Sequence, residues 1–92
     1  MRVRLLRAAL GDLDAIAAYI ADDNPVAARR FVSRLVARID HLSAHPALGR
    51  AGRVVGSREL MFPPYIVPYR VRSNVIEILR VFLGAQRFSE KL

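Results

Sequence analysis

Apolar positions in the first 44 residues recur at helical spacing. Leu13, Ile16, Ala17 and Ile20 form one stripe, which predicts a helix over residues 8–21 with a single buried face. Asp22-Asp23-Asn24-Pro25 ends it. Asn24 is a good N-cap and Pro25 a good first helical residue, so a second helix starts there. Its apolar face is Ala28, Phe31, Val32, Leu35, Ile39 and Leu42, and it is expected to end near Ala44, because Pro46 disfavours helical backbone at His45. The short link between the two stripes predicts an antiparallel helical hairpin. Ahead of it, the apolar run at residues 3–6 predicts a first strand.

Past residue 57 the period changes. Arg58–Phe62 is a short mixed strand, and Pro63-Pro64 breaks it and turns the chain. Over Tyr65–Arg72 the chain alternates, with Tyr65, Val67, Tyr69 and Val71 on one face and Ile66, Pro68 and Arg70 on the other. Ser73-Asn74 fits a two-residue turn. Residues 75–83 are apolar on both faces, as expected of a strand covered on both sides, with Glu77 and Arg80 interrupting it on opposite faces. Pro68 cannot donate to a ladder, so a bulge is expected there, or a nitrogen facing away from any partner.

The order β-α-α-β-β-β predicts an α+β fold: a helical hairpin that buries its stripe against one face of a small, mainly antiparallel sheet. With 92 residues and 53% hydrophobic content, one domain over 1–92 is expected. No apolar run approaches the roughly 18 residues that span a bilayer, and no signal-peptide pattern follows the N-terminal arginines. Zero cysteines exclude disulfides, thiolate metal sites and a cysteine nucleophile. All of this fits the cytoplasm and no membrane partner. The net charge of +7 favours nucleic acid, a ribosome or an acidic protein as partner.

Between the two halves runs a basic, glycine-rich connection, 45–60, carrying Gly49, Gly52 and Gly56 with Arg50, Arg53 and Arg58. It lacks the strand-loop-helix context and the Lys-Ser/Thr of a phosphate-binding loop, so nucleotide binding is rejected. Its glycines are expected to supply turns at positive φ. No Asp/Glu/His cluster has metal-ligand spacing, no serine sits in an elbow motif, and no cofactor is called for.

Several segments together resemble the ParE/RelE superfamily of bacterial type II toxins, and more closely its ParE-like side. They are Asp12-Leu13-x-x-Ile16-x-x-Tyr19-Ile20, Asn24-Pro25-x-Ala27-Ala28-x-x-Phe31, the run from Pro46 and Leu48-Gly49-Arg50 through Gly52-Arg53-Val54 to Gly56-Ser57-Arg58-Glu59-Leu60, then Tyr69-Arg70-Val71 and Ile78-Leu79-Arg80-Val81. The resemblance implies a RelE/ParE-like fold and a cognate antitoxin, small and acidic with a DNA-binding N-terminus. ParE-like members poison DNA gyrase. RelE-like members cut messenger RNA on the ribosome without a metal, using basic residues at the start of the middle strand and after the last strand, and often a C-terminal Tyr or a His. Here those places hold Tyr65 and Ile66, Gln86 and Arg87, and Leu92, and Leu83 stands where many relatives carry His. These departures favour a gyrase-binding toxin over the alternative, a ribosome-dependent endonuclease.

Cleavage by 2′-hydroxyl attack would need a base, an acid and a cation. The weak catalytic candidates are Arg70, Arg80, Arg87 and Glu59. Arg58 is a further cation, and Glu77, His41 and His45 are further bases, although both histidines gain from a helix C-terminus through the dipole alone. Arg70 and Arg80 lie within apolar strands and need carboxylates, for which Glu59 and Glu77 are the nearest supply; Arg58 and Glu59 point to opposite faces. Arg30, Arg34 and Arg38 form one basic line on the second helix, either a solvated face or a docking strip. The expected antitoxin contacts are Tyr19, Arg30, Phe31 and Arg34, with one sheet edge. The expected target contacts are Arg50, Arg53 and Arg58.

Overall fold

The computed structural model describes residues 1–84. Arg87, with Gln86 and Leu92, lies outside the described residues. The chain runs β1 (Arg2–Leu5), α1 (Arg7–Asp23), α2 (Pro25–Asp40), β2 (Arg50–Ala51), β3 (Arg58–Phe62), β4 (Tyr65–Arg72), β5 (Val75–Ile78) and β6 (Phe82–Leu83). The sheet order is β1-β5-β4-β3-β2, with β6 beside the start of β4; β1 and β5 are parallel and every other pair is antiparallel.

The helical hairpin forms as the sequence predicts. The Asn24 side chain accepts from the Ala27 N–H at 3.0 Å, and Pro25 opens α2. α2 ends at Asp40, and one 3₁₀ turn, His41–Ser43, carries Leu42 into the core. Ala9 and Leu13 of α1 and Leu35, Ile39 and Leu42 meet Leu60, Val67, Tyr69, Ile76 and Ile78 of the sheet. Phe31, Val32 and Ile16 pack against this cluster from its margin. The other face of the sheet has no helix over it among the described residues.

Ser73 and Asn74 both take positive φ, 51° and 63°, as a two-residue hairpin turn with the twist of its strands requires. Pro63-Pro64 is a cis bond between β3 and β4.

The predicted strand 75–83 is not continuous. Ile78 faces Tyr69 and Phe82 faces Ile66, so Leu79, Arg80 and Val81 stand opposite only Val67 and Pro68. That extra residue is the bulge anticipated at Pro68. The Pro68 C=O accepts from the Leu79 N–H at 2.9 Å. Residue 81 then turns its N–H to the Asp12 carboxylate of α1 at 2.9 Å instead of to a strand.

Tyr69 joins sheet and loop. Fully buried, its hydroxyl donates to Pro46 C=O at 2.7 Å and accepts from Gly49 N–H at 2.8 Å. Tyr69→Phe keeps the ring and strands both backbone groups. The expected cost is about 1–3 kcal/mol of unfolding free energy, readable by urea denaturation. A variant as stable as the parent would show that water replaces the hydroxyl.

Candidate functional site

The basic connection folds as a hairpin. β2 pairs with β3 through Arg50↔Glu59 and Ala51↔Arg58. Its tip is closed by Gly52 N–H to Ser57 C=O at 2.8 Å and by the Ser57 hydroxyl donating to Val54 C=O at 2.6 Å. Only Gly56 takes a positive φ, 82°, which corrects the expectation for Gly49 and Gly52. Those two are required by close approach. A Cβ on Gly49 would lie 2.7 Å from the Tyr69 ring and 2.8 Å from Glu59 C=O, and one on Gly52 would collide with Ser57.

Glu59 organises this hairpin. Its side chain is 1% exposed; it accepts from Arg50 Nη2 at 3.0 Å and from the Arg53 N–H at 3.3 Å, and Arg53 Nε lies 3.7 Å away. Arg58, on the opposite face as expected, donates to Gly49 C=O at 2.8 Å. The three expected target-binding arginines are thus tied to the loop that carries them. Arg50 and Arg53 remain about half exposed, at 56% and 48%.

The strand arginines separate. On the helix-free face Arg70 donates to Glu77 at 2.8 Å. This bond is the main reason the Glu77 carboxyl lies below its ordinary range; a smaller upward push from burial opposes it, and the charges of Arg70, Arg72 and Arg4 add to the lowering. Because the folded-state value is depressed, this pair stabilises the fold above the ordinary glutamate value, and the gain disappears as pH falls through the depressed value. Glu77→Gln is therefore expected to flatten the acid side of the melting-temperature profile below pH 4.5, with little change at neutral pH beyond the lost ion pair. Parallel profiles for both proteins at low pH would contradict this.

Arg80 does not take Glu59 or Glu77. It forks onto Asp12 of α1, Nε to Oδ2 at 2.7 Å and Nη2 to Oδ1 at 2.9 Å and lies 4.9 Å from the Phe82 ring centre. The Asp12 carboxylate holds the guanidinium more firmly protonated than usual, chiefly through this hydrogen bond. The pair forms part of the wall of a cavity of about 500 Å³ between α1 and the bulge, lined also by Tyr19, Tyr65 and Leu83. Sequence spacing does not reveal Asp12 as Arg80's partner. Its sign was available in the sequence, as an acid on the flank of the α1 stripe, but its distance of 68 positions from Arg80 concealed the pairing.

Two expected antitoxin contacts meet at Tyr65. Tyr19, 81% exposed, shares the cavity with it, and the Phe31 ring packs 5.3 Å from Tyr65 and 6.0 Å from Phe62. Arg30 and Arg34 are exposed on the adjoining flank of α2. His41 and His45 are exposed near the end of α2. Among the described residues no group of three His, Cys, Asp or Glu side chains could hold a metal ion, and no helix is long and apolar enough to cross a membrane.

Residues 3–88 match the family model described as the ParE toxin of the type II toxin–antitoxin system, parDE. The Sinorhizobium fredii protein Y4kP, named provisionally as a toxin, is 44% identical, over 99% of this chain and 96% of its own length. Toxin RelE2 of Caulobacter vibrioides is 36% identical over 79% of this chain and 83% of its own. In solved structures, the fold is similar to a chain of the chromosomal ParDE system from P. aeruginosa, with a TM-score of 0.80 and 33% identity, covering 90% of this chain and 95% of that one. A chain of the Mycobacterium tuberculosis RelBE2 toxin–antitoxin complex shares the fold, with a TM-score of 0.64 and 24% identity over 89% and 95%.

Proposed function

This chain belongs to the ParE toxin family of type II toxin–antitoxin systems, and from that premise we propose that it arrests growth by binding and poisoning DNA gyrase, and that a cognate antitoxin neutralises it. The observation that carries this reading is the separation of the groups a nuclease would have to bring together. Arg70 is bound to Glu77 on the open face of the sheet, Arg80 to Asp12 on the helix side, and Glu59 to Arg50 and Arg53 inside the loop. Each of these cations already has a carboxylate, and each of these carboxylates is held as an ion-pair acceptor rather than poised as a base. What the loop presents outward is a hairpin with half-exposed Arg50 and Arg53 and a fully exposed Val55 at its tip. That is the form of a docking element, and chemistry is not required of it. The antitoxin is assigned to the Tyr19–Tyr65 corner and the Arg30–Arg34 flank of α2, where an exposed aromatic lies beside a cavity and basic side chains suit an acidic amphipathic segment.

Induction of the chain in a host with a sensitive gyrase is expected to halt growth and accumulate linearised plasmid. Co-expression of the small acidic protein expected from the neighbouring reading frame should restore both. Growth arrest with intact plasmid and transcripts cut at codon spacing would favour the endonuclease reading instead.

A further inference from the structure

Cross-strand partners share a face of the sheet, so the register shows which side chains stand in one row. Arg4 faces Glu77, and Glu77 faces Arg70. Two positions earlier on β4, Pro68 faces Glu59, and Glu59 faces Arg50. Residues two apart on a strand point the same way, so Arg70 and Pro68 put both rows on one face. It is the helix-free face, because Val67, Tyr69, Ile76 and Ile78 point into the helix-covered core. Arg2, Val75 and Arg72 form a further row beside the first. The loop arginines and the strand arginines therefore lie along one surface, from β2 at one end of the sheet to β1 at the other.

The charge on this surface is one-sided. Arg2, Arg4, Arg50, Arg53, Arg70 and Arg72 stand against Glu59 and Glu77 alone. Both carboxylates are buried, whereas Arg2, Arg4 and Arg72 are exposed and Arg50, Arg53 and Arg70 are partly so. Among the described residues Arg2, Arg4 and Arg72 form no ion pair. Glu59 and Glu77 hold Arg50 and Arg70 in place from below. A guanidinium carries five N–H donors, so neither bond exhausts its arginine.

We infer that this face, from Arg50 across to Arg4, binds the phosphate backbone of duplex DNA. The inference deepens the gyrase reading and rests on it: gyrase works on duplex DNA, and a toxin docked there by its loop hairpin would bring the adjoining face to the duplex. The geometry points to this partner. From β1 to β2 the sheet takes four steps of about 4.8 Å, about 19 Å in all, a span of about five phosphates along one strand at about 3.4 Å of helix axis each. Backbone contacts need cations and polar donors only. Single-stranded RNA is read by stacking its bases on aromatic rings, and this face presents none among the described residues: Tyr65 and Tyr69 turn to the helix side and Phe82 is buried. An acidic protein would call for an apolar anchor among the charges, and the rows hold only buried Pro68 and half-buried Val75. A second copy of the chain would set arginine against arginine.

The test is a fluorescence anisotropy titration of labelled probes with the purified full chain, without gyrase, over a series of salt concentrations. The probes are a DNA duplex of about 20 base pairs, a single-stranded RNA of equal length and a polyglutamate of equal length. The duplex is expected to bind with a micromolar Kd at about 50 mM salt, and the logarithm of its affinity to fall against that of salt with a slope of about −4, as for four or five neutralised phosphates. Arg4→Ala/Arg72→Ala should make the slope shallower by about two and weaken binding about tenfold. The melting temperature should not change, since both side chains are exposed and outside ion pairs. Arg30→Ala/Arg34→Ala removes the same charge from α2 and should leave the slope as it is. No duplex binding at low salt, or equal effects of the two variant pairs, would overturn the inference. Tighter binding of the RNA would reassign the face to a single-stranded message, and tighter binding of polyglutamate to an acidic protein; either result overturns it. Gyrase takes no part in these titrations, so their failure is separate from a failure to inhibit supercoiling, which bears on the gyrase reading alone.

Discussion

Replacing Glu59 with alanine is expected to destabilise the chain by about 2–3 kcal/mol, which for a domain of this size lowers the melting temperature by roughly 8–20 °C. The carboxylate is 1% exposed and serves Arg50, Arg53 and the Arg53 backbone at once. Its loss removes the acceptor that the Arg50 side chain and the Arg53 backbone and side chain share, and releases the β2–β3 hairpin at the point where it is pinned. The half exposure of both arginines keeps the cost below that of breaking a fully buried pair, because water reaches the abandoned cations. Glu59→Gln keeps an acceptor of the same shape and should fall between parent and alanine. Thermal and urea unfolding of the three proteins would measure the series. A change within about 0.5 kcal/mol for Glu59→Ala, as for an ordinary surface substitution, would mean the carboxylate does not organise the loop. If the hairpin engages the target, activity of the folded Glu59→Ala fraction should fall too, because Arg50 and Arg53 would no longer be aimed by their shared partner.

The second large effect concerns the antitoxin. Tyr19→Ala is expected to weaken the complex by about 2–4 kcal/mol, and the charge reversal Arg30→Glu/Arg34→Glu by about 3 kcal/mol, or more than a hundredfold in Kd. Tyr19 is 81% exposed and Arg30 and Arg34 are exposed, so none of these changes should alter the stability of the free chain. Phe31 differs. Its ring packs on Phe62 and Tyr65, so Phe31→Ala loosens the core margin as well as the surface, and its effect on binding has to be read beside its effect on melting. Calorimetric titration of each variant with the purified antitoxin is the measurement. Parental affinity in the Tyr19 and Arg30/Arg34 variants would remove the antitoxin from this corner.

How far the sequence reaches depends on the range of the interaction. The α2 start at Asn24-Pro25, the stripe from Ala28 to Leu42, the limits of β3 and β4 and the Ser73-Asn74 turn all follow from neighbours a few positions apart. The Arg70–Glu77 pair was within reach for the same reason, since one tight turn brings the two side chains together on one face. The break at Leu79–Val81 was harder to see. Residues 75–83 are apolar without alternation, and what interrupts the strand is Pro68 across the sheet together with Asp12 on a distant helix. β2 has only two residues and exists because Glu59 gathers Arg50 and Arg53. The glycines illustrate the same limit: Gly56 serves a local turn, whereas Gly49 and Gly52 are set by Tyr69, Glu59 and Ser57, which only the folded chain brings near.

The most direct test of the proposal that this toxin acts by binding gyrase is a supercoiling assay with saturating purified chain, run beside in vitro translation on the same preparation. The account predicts that supercoiling stops and cleaved DNA is trapped, that the antitoxin reverses both, and that transcripts in the translation reaction stay intact. Undiminished supercoiling together with codon-spaced cuts in the translated message would contradict it.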